Sequence, residues 1–296
     1  MINGIVNVYK EKGYTSHDVV AKLRGILKQK KIGHTGTLDP EAEGVLPVCL
    51  GKGTRLCDML TDERKTYVAG LYLGITTDTQ DMTGKVLEEK SVENITPEQA
   101  EEVIHSFLGD QMQVPPMYSA LKVNGKKLYE LAREGKEVER KARPVTFYQI
   151  RILEMELPRV QIEVSCSKGT YIRTLCHDIG QKLGCGGCME TLKRTRVGRF
   201  DIADSMTLDQ IAASEDRSFV HSVEEMFQNL PAVTVPEKLD KALYNGNFFR
   251  YKQDLQDQEQ VRVYSSKNEF IGIYQYEKAG SSFHMVKMFY PCPVIS

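Results

Sequence analysis

Residues 33–54, GHTGTLDPEAEGVLPVCLGKGT, gather glycine and proline around an apolar run. Such a composition demands a tightly shaped loop held against a core. At its centre stands Asp39, a carboxylate that could serve as nucleophile or base if it is kept ionised. Read for spacing alone, Asp39-Pro40 is a helix start, with aspartate as N-cap and proline at the first helical position. His34, five positions earlier, reads as a neutral histidine capping a loop carbonyl, because no second histidine or carboxylate stands at a metal-ligand offset. Cys185 and Cys188 form a lone C-x-x-C with no second ligand pair, which favours a glycine-rich turn over a zinc site. The seven cysteines, Cys292 among them, are odd in number and scattered, as reduced thiols would be. A glycosidase is disfavoured, since one motif-borne carboxylate is present and not an acid and nucleophile pair.

The elements that must position these groups are legible in the periodicities. Residues 4–9 read as a strand, and Thr15 with Asp18 caps a helix whose apolar face is Val19, Val20, Leu23, Ile26 and Leu27. Residues 65–74, KTYVAGLYLG, read as a core strand, which makes Tyr67 a core residue on spacing alone. Thr96, Pro97 and Gln99 open a helix with Ala100, Val103, Ile104, Phe107 and Leu108 on one face. Val160, Ile162, Val164 and Cys166 alternate as a half-buried strand. A helix follows with Ile172, Leu175, Ile179 and Leu183 on one side and Gly184 as its stop, so Tyr171 and Arg173 sit at a helix beginning close to a strand end. Strands and helices without a βαβα rhythm predict an α+β fold with a mixed, largely antiparallel sheet. From residue 231 the texture changes: PAVTVPEK is linker-like, and short strands with polar turns follow, predicting a small all-β module over 231–296 behind a domain of residues 1–230.

A net charge of −1 argues against holding nucleic acid by bulk positive charge but leaves room for local basic surfaces. Two such clusters occur: Lys22, Arg24, Lys28, Lys30 and Lys31, and Lys193, Arg194, Arg196 and Arg199. Flanking the loop and helix above, they raise the expectation of a polyanionic substrate. Residues 122–143 alternate in charge sign, as an exposed, salt-bridge-laced helix and turn would, or as a flap touching RNA. Apolar stretches too short to span a bilayer and the lack of a signal-peptide layout predict a soluble, cytoplasmic protein.

The pattern G-H-T-G-T-L-D-P-x-A-x-G-V-L-P resembles the signature loop of TruB-family pseudouridine synthases, whose essential aspartate falls on Asp39. Lys10, Gly13, Thr15 and Ser16 resemble the family's N-terminal K-P-x-G-x-T-S, with Glu11 in place of proline. Further matches are Lys65-Thr66-Tyr67, the DTQDMTG of residues 78–84, the long run QVPPMYSALKVNGKKLYELAREG from Gln113, SKGTYIR of 167–173 and LKRTRVGRF of 192–200. The resemblance covers essentially residues 1–230, and more loosely a PUA-like RNA-binding module thereafter. It implies a pseudouridine synthase fold and cofactor-free isomerisation of a uridine in the T-arm loop of tRNA, usually called position 55. Asp39 would be catalytic, Arg173 its partner and Asp81 a completing charge. Tyr67 would stack on the flipped base, with Tyr171 and Leu192 as pocket walls. His34 would fill space vacated as bases rearrange, and Lys10 with the basic clusters would serve phosphates. A monomer working on tRNA without guide RNA, metal or membrane is expected. The alternatives are an RNA-binding module that folds tRNA, or a synthase acting on another RNA.

Overall fold

The alternating segments pair into one mixed ten-stranded sheet in a computed structural model that describes residues 1–123 and 125–291. Its main path runs Val220–His221, Gly4–Lys10, Glu43–Leu50, Gly187–Val197, Lys65–Leu73, Arg159–Cys166, Arg143–Glu156, Gly109–Gln113. Every neighbouring pair on this path is antiparallel except one, the short parallel join of Glu43 with Lys193 and of Gly44 with Arg194. Close approach makes that join possible: a Cβ on Gly44, at φ +107°, would lie 2.2 Å from the Arg194 carbonyl oxygen. The signature loop enters the sheet here.

The three longest helices among the described residues brace this sheet. Ser16–Ile26 starts at the expected Thr15–Asp18 capping box and buries Val19, Val20 and Leu23. Pro97–His105 starts at the Thr96–Gln99 box and buries Ala100 and Ile104, whereas Leu108, expected on that face, lies past the helix end and is exposed. Ile172–Leu183 buries Ile172, Leu175 and Ile179 and stops at Gly184, whose φ of 80° only glycine adopts readily. Leu71, Ile162, Val164 and Phe147 complete the core beneath it.

Beyond residue 231 a second, five-stranded sheet forms from Ala232–Thr234, Gln260–Tyr264, Phe270–Glu277, Ser282–Met288 and Phe249–Arg250. Two expectations need correcting. The module is not all-β: Asp240–Tyr244 is helical, because Leu243 is buried in the module core while the Asp240 carboxylate accepts from Ser266 N and Oγ. Nor is PAVTVPEK a linker. Val233 and Val235 are buried, and Ala232–Thr234 pairs in parallel with Arg262–Tyr264. Tyr264, Phe270, Ile273 and Phe289 share a core with Ile5, Val45 and Phe227, so the second sheet packs directly on the first domain.

The charge-alternating stretch forms a hairpin, Lys122–Val123 with Lys126–Lys127, and the helix Leu128–Arg133. Glu134 pairs with Lys126 and Lys136, while buried Leu128 and Leu131 pin the helix down. Asn124 in this stretch, and Cys292 with the rest of the expected module's end, lie outside the described residues. Among the described residues no helix is long and apolar enough to cross a membrane.

Candidate active site

Asp39 does not start a helix. The chain turns at Asp39-Pro40 and comes straight back, with Ala42 N donating to the Asp39 carbonyl at 3.1 Å, because residues 43–50 must already be strand. Proline's fixed φ suits the second position of such a turn. The N-terminal motif holds the turn from below: Gly13 N donates to Pro40 O at 2.9 Å, and Leu38 N to Ser16 Oγ at 2.9 Å.

Lys10 contributes most to this support and thereby departs from its expected role. Its side chain is buried, and Nζ donates to the carbonyls of Glu11, Pro40 and Ala42 at 3.1, 3.1 and 2.6 Å. A phosphate cannot reach it. Burial lowers the Lys10 pKa to about 8, against the opposing pull of Asp39.

The Asp39 carboxylate meets Arg173 side-on, with Nε at 3.0 Å from Oδ2 and Nη2 at 3.3 Å from Oδ1. Arg173 is fixed further by Tyr118 O at 2.9 Å, Thr79 O at 3.2 Å and the Asp81 carboxylate at 3.6 Å. Its side chain is 7% exposed, whereas that of Asp39 keeps 40% of its surface open. The guanidinium is thus an interior fixture and the carboxylate the accessible half of the pair. Withdrawal from bulk water pushes the Asp39 carboxyl above its ordinary value and Asp81 adds to this, while Arg173 and Lys10 pull the other way. Asp81 is itself held by Thr79 Oγ1, Thr83 N and Thr83 Oγ1 at 2.8, 3.0 and 2.6 Å.

Tyr67 lies in the strand directly opposite Arg194 and is 7% exposed, and burial raises its phenol pKa. It shares a core with Leu38 and Ala42 of the signature loop, against which Leu192 also packs. Tyr171 stands at the start of the Arg173 helix, its backbone clamped by the Gln113 amide at 2.8 and 3.0 Å. His34 is neutral in tendency, its pKa lowered by burial and by His17 and Arg194. It caps an amide and not a carbonyl: Gly36 N donates to Nδ1 at 3.3 Å.

The second basic cluster is largely spoken for. Lys193 pairs with Glu43 at 2.8 Å and Arg196 with Asp201 at 2.6 Å. Arg194 is 1% exposed under the signature loop, with Nε donating to Val45 O at 2.7 Å. Composition could not reveal this, because an inward arginine on a strand reads like its outward neighbours. The carbonyls of Thr79 and Tyr118 that steady Arg173 carried no sequence signal either. In the first cluster Lys28, Lys30 and Lys31 are exposed and have no ion pair among the described residues.

Lys10→Met should therefore destabilise the protein by about 2–4 kcal/mol, the loss expected for buried carbonyls left without a donor. It should leave the salt dependence of RNA binding unchanged. Lys30→Ala should instead flatten that dependence by about one unit of slope. Titration of RNA affinity against salt distinguishes the two. A Lys10→Met slope as flat as that of Lys30→Ala would contradict the burial argument.

The C-x-x-C thiols point to protein partners, Cys185 Sγ to Gly186 O at 3.3 Å and Cys188 Sγ to Met82 Sδ at 3.3 Å. No group of three or more potential metal-binding side chains converges among the described residues.

The fold that carries this carboxylate and arginine has counterparts in solved structures. The chain is similar to one in the structure of an H/ACA RNP bound to a substrate RNA containing 2′-deoxyuridine, at 25% identity and a TM-score of 0.70 over 98% of this chain and 86% of that one. It is similar to a chain of a Cbf5-Nop10-Gar1 complex at 27% identity and a TM-score of 0.70, over 98% and 85%. The fold is that of the pseudouridine synthases. Residues 24–172 match the TruB family pseudouridylate synthase N-terminal domain, and residues 173–230 match the tRNA pseudouridylate synthase B C-terminal domain. A tRNA pseudouridine synthase B from Lachnoclostridium phytofermentans is 52% identical over 97% of this chain and 100% of its own. One from Clostridium novyi is 49% identical over 92% and 95%. The chain belongs to the TruB family of pseudouridine synthases.

Proposed function

We propose that this chain isomerises uridine to pseudouridine in tRNA, with Asp39 as the catalytic carboxylate and the T-arm loop uridine as target. The observation that carries this reading is the accessible Asp39 carboxylate gripped on both oxygens by a buried Arg173. The reaction breaks the bond between C1′ and N1, turns the uracil and rejoins C5 to C1′. A proton leaves C5 and N1 gains one, so no electron or energy donor enters. A carboxylate whose position and charge are fixed in advance suits attack on the nucleoside or proton removal from it.

The target base must leave its stack to reach Asp39, and Tyr67 offers an aromatic face in exchange, with Tyr171 and Leu192 as walls. Lys28, Lys30 and Lys31 meet phosphates, and residues 122–143 act as a flap over the RNA. The module from residue 231 is a PUA-like RNA-binding unit, and the enzyme works as a cytoplasmic monomer. Action without guide RNA is favoured by the relatives named for tRNA, which are 49% and 52% identical, against 25% and 27% for the RNP chains.

The test is single-turnover conversion of a T-arm stem-loop carrying tritium at C5 of the target uridine, with no cofactor and no second RNA. Stoichiometric tritium release is expected; tight binding without release would overturn the reading. Limited proteolysis should show residues 122–143 protected by RNA, and equal cleavage with and without it would remove the flap role.

The raised Asp39 pKa sets the acid side of the rate profile. The ionised form is the active one, and burial raises its pKa above the ordinary aspartate value. Activity is therefore full above that pKa and lost as pH falls through it. Single-turnover rates measured from about pH 4 to about pH 8 should show the acid limb above the midpoint of an ordinary aspartate, near 3.9. A limb at or below that value would contradict the assignment.

A further inference from the structure

Cys57 opens the short helix Cys57–Thr61, which packs on the strand Glu43–Leu50 through a core joining Leu56 and Leu60 to Val45 and Cys49. Two observations place its thiol beside that of Cys49. Gly33 pairs directly with Cys49 across the antiparallel strands Ile32–His34 and Glu43–Leu50, so side chains at these two positions project from one face. A Cβ on Gly33 would lie 3.4 Å from Cys57 Sγ. The sulfur therefore fills the space that the missing side chain leaves next to Cys49, and the Cys49 thiol donates a hydrogen bond to it.

The two thiols differ in access and in charge tendency. Of the six described cysteines five are buried, and Cys57 alone is partly open to solvent. The hydrogen bond from Cys49 lowers the Cys57 pKa against burial and Asp58, with Lys287 helping, while the same bond and burial push the Cys49 thiol up. Thiolate character and access together decide which cysteine an oxidant reaches first. One thiol is reachable and the other is sheltered and adjacent, which is how an attacking and a resolving cysteine are arranged.

We infer that Cys57 is a site of oxidative modification by hydroperoxides, and that Cys49 resolves the product to an intramolecular disulfide. The Cys57 thiolate attacks one peroxide oxygen; the S–O bond forms, the O–O bond breaks, and the departing hydroxide takes up a proton as water. The Cys49 sulfur then attacks the Cys57 sulfur; the S–S bond forms, the S–O bond breaks, and a second water leaves with the Cys49 proton. Two thiols have lost two electrons and two protons, and hydrogen peroxide has become two waters. The far end of the helix carries this to the signature loop, because Thr61 Oγ1 contacts Thr35 O at 2.9 Å as well as Cys57 O at 2.6 Å. Bonded sulfurs sit closer than sulfurs in contact, so Cys57 is drawn to the strand and Thr61 is pulled from Thr35, four residues before Asp39.

Full-length protein is treated with hydrogen peroxide, with dimedone present to trap sulfenic acid, and its peptides are weighed without reduction. In wild type the peptides carrying Cys49 and Cys57 should be joined with the loss of two hydrogens. Cys49→Ala should give no joined peptide and dimedone on Cys57, and Cys57→Ser should give neither. On the T-arm stem-loop, oxidised wild type should convert at least about tenfold more slowly and recover with dithiothreitol, while both variants keep their untreated rates. Dimedone on another cysteine in place of Cys57, or Cys57 oxidised in wild type without joining Cys49, overturns the inference. Joined protein at full rate overturns the connection to the signature loop. Only the rate rests on the synthase reading; the masses need no RNA, so failure of that reading leaves them standing.

Discussion

Asp39→Asn is expected to lower single-turnover conversion by at least about 10⁴-fold, the scale on which removal of a sole reacting group is felt. In activation free energy that is about 5 kcal/mol. Asparagine preserves the turn, since the hydrogen bond that closes it runs to the main-chain carbonyl and Lys10 grips Pro40 and Ala42 from below. What is lost is the charge on the one accessible carboxylate at the site. RNA affinity should stay within about threefold, because phosphate contacts carry most of it and Asp39 touches none. Tritium release and filter binding on one RNA give both numbers. Retained conversion within tenfold of wild type would remove Asp39 from the chemistry, and a parallel collapse of binding would show that the turn had been damaged.

Arg173→Gln is expected to be the second most damaging change, at about 10²- to 10³-fold in rate with a changed pH profile. Arg173 ties together Asp39, Asp81 and the carbonyls of Thr79 and Tyr118. Without it two carboxylates share one corner with no nearby counter-charge except Lys10, which alone is left to oppose the effect of burial on Asp39. The Asp39 pKa must rise, so the acid limb moves to higher pH and part of the lost rate returns as pH is raised. Breaking a pair with one buried member should also lower stability by about 3 kcal/mol, the low end for buried pairs because Asp39 is 40% open. Rate against pH and thermal melting check the two parts. A pH-independent rate loss would mean that Arg173 acts only by geometry. Arg173→Lys should rescue little, since one ammonium cannot meet a carboxylate side-on and also hold two carbonyls.

Much of the frame was legible without coordinates because it depends on local rules. Capping boxes at Thr15 and Thr96 and the glycine stop at 184 are short-range devices, so their chemistry is visible in neighbouring residues. Strand alternation placed Tyr67 in the core, and the resemblance of the signature loop and of SKGTYIR to the family singled out Asp39 and Arg173. Tertiary structure alone decided what the cations do. Lys10 and Arg194 were read as phosphate ligands, but both are interior, their charges met by main-chain carbonyls of segments distant in sequence. The turn at Asp39 likewise overrode a good helix-start pair, because the strand from Glu43 had to meet Gly4–Lys10 along its whole length. The sequence by itself determined which residues could carry the chemistry and where helices begin. Which face each charge turns to was decided by tertiary contacts such as the parallel join at Gly44 and Arg194, a contact spanning some 150 residues that no local rule encodes.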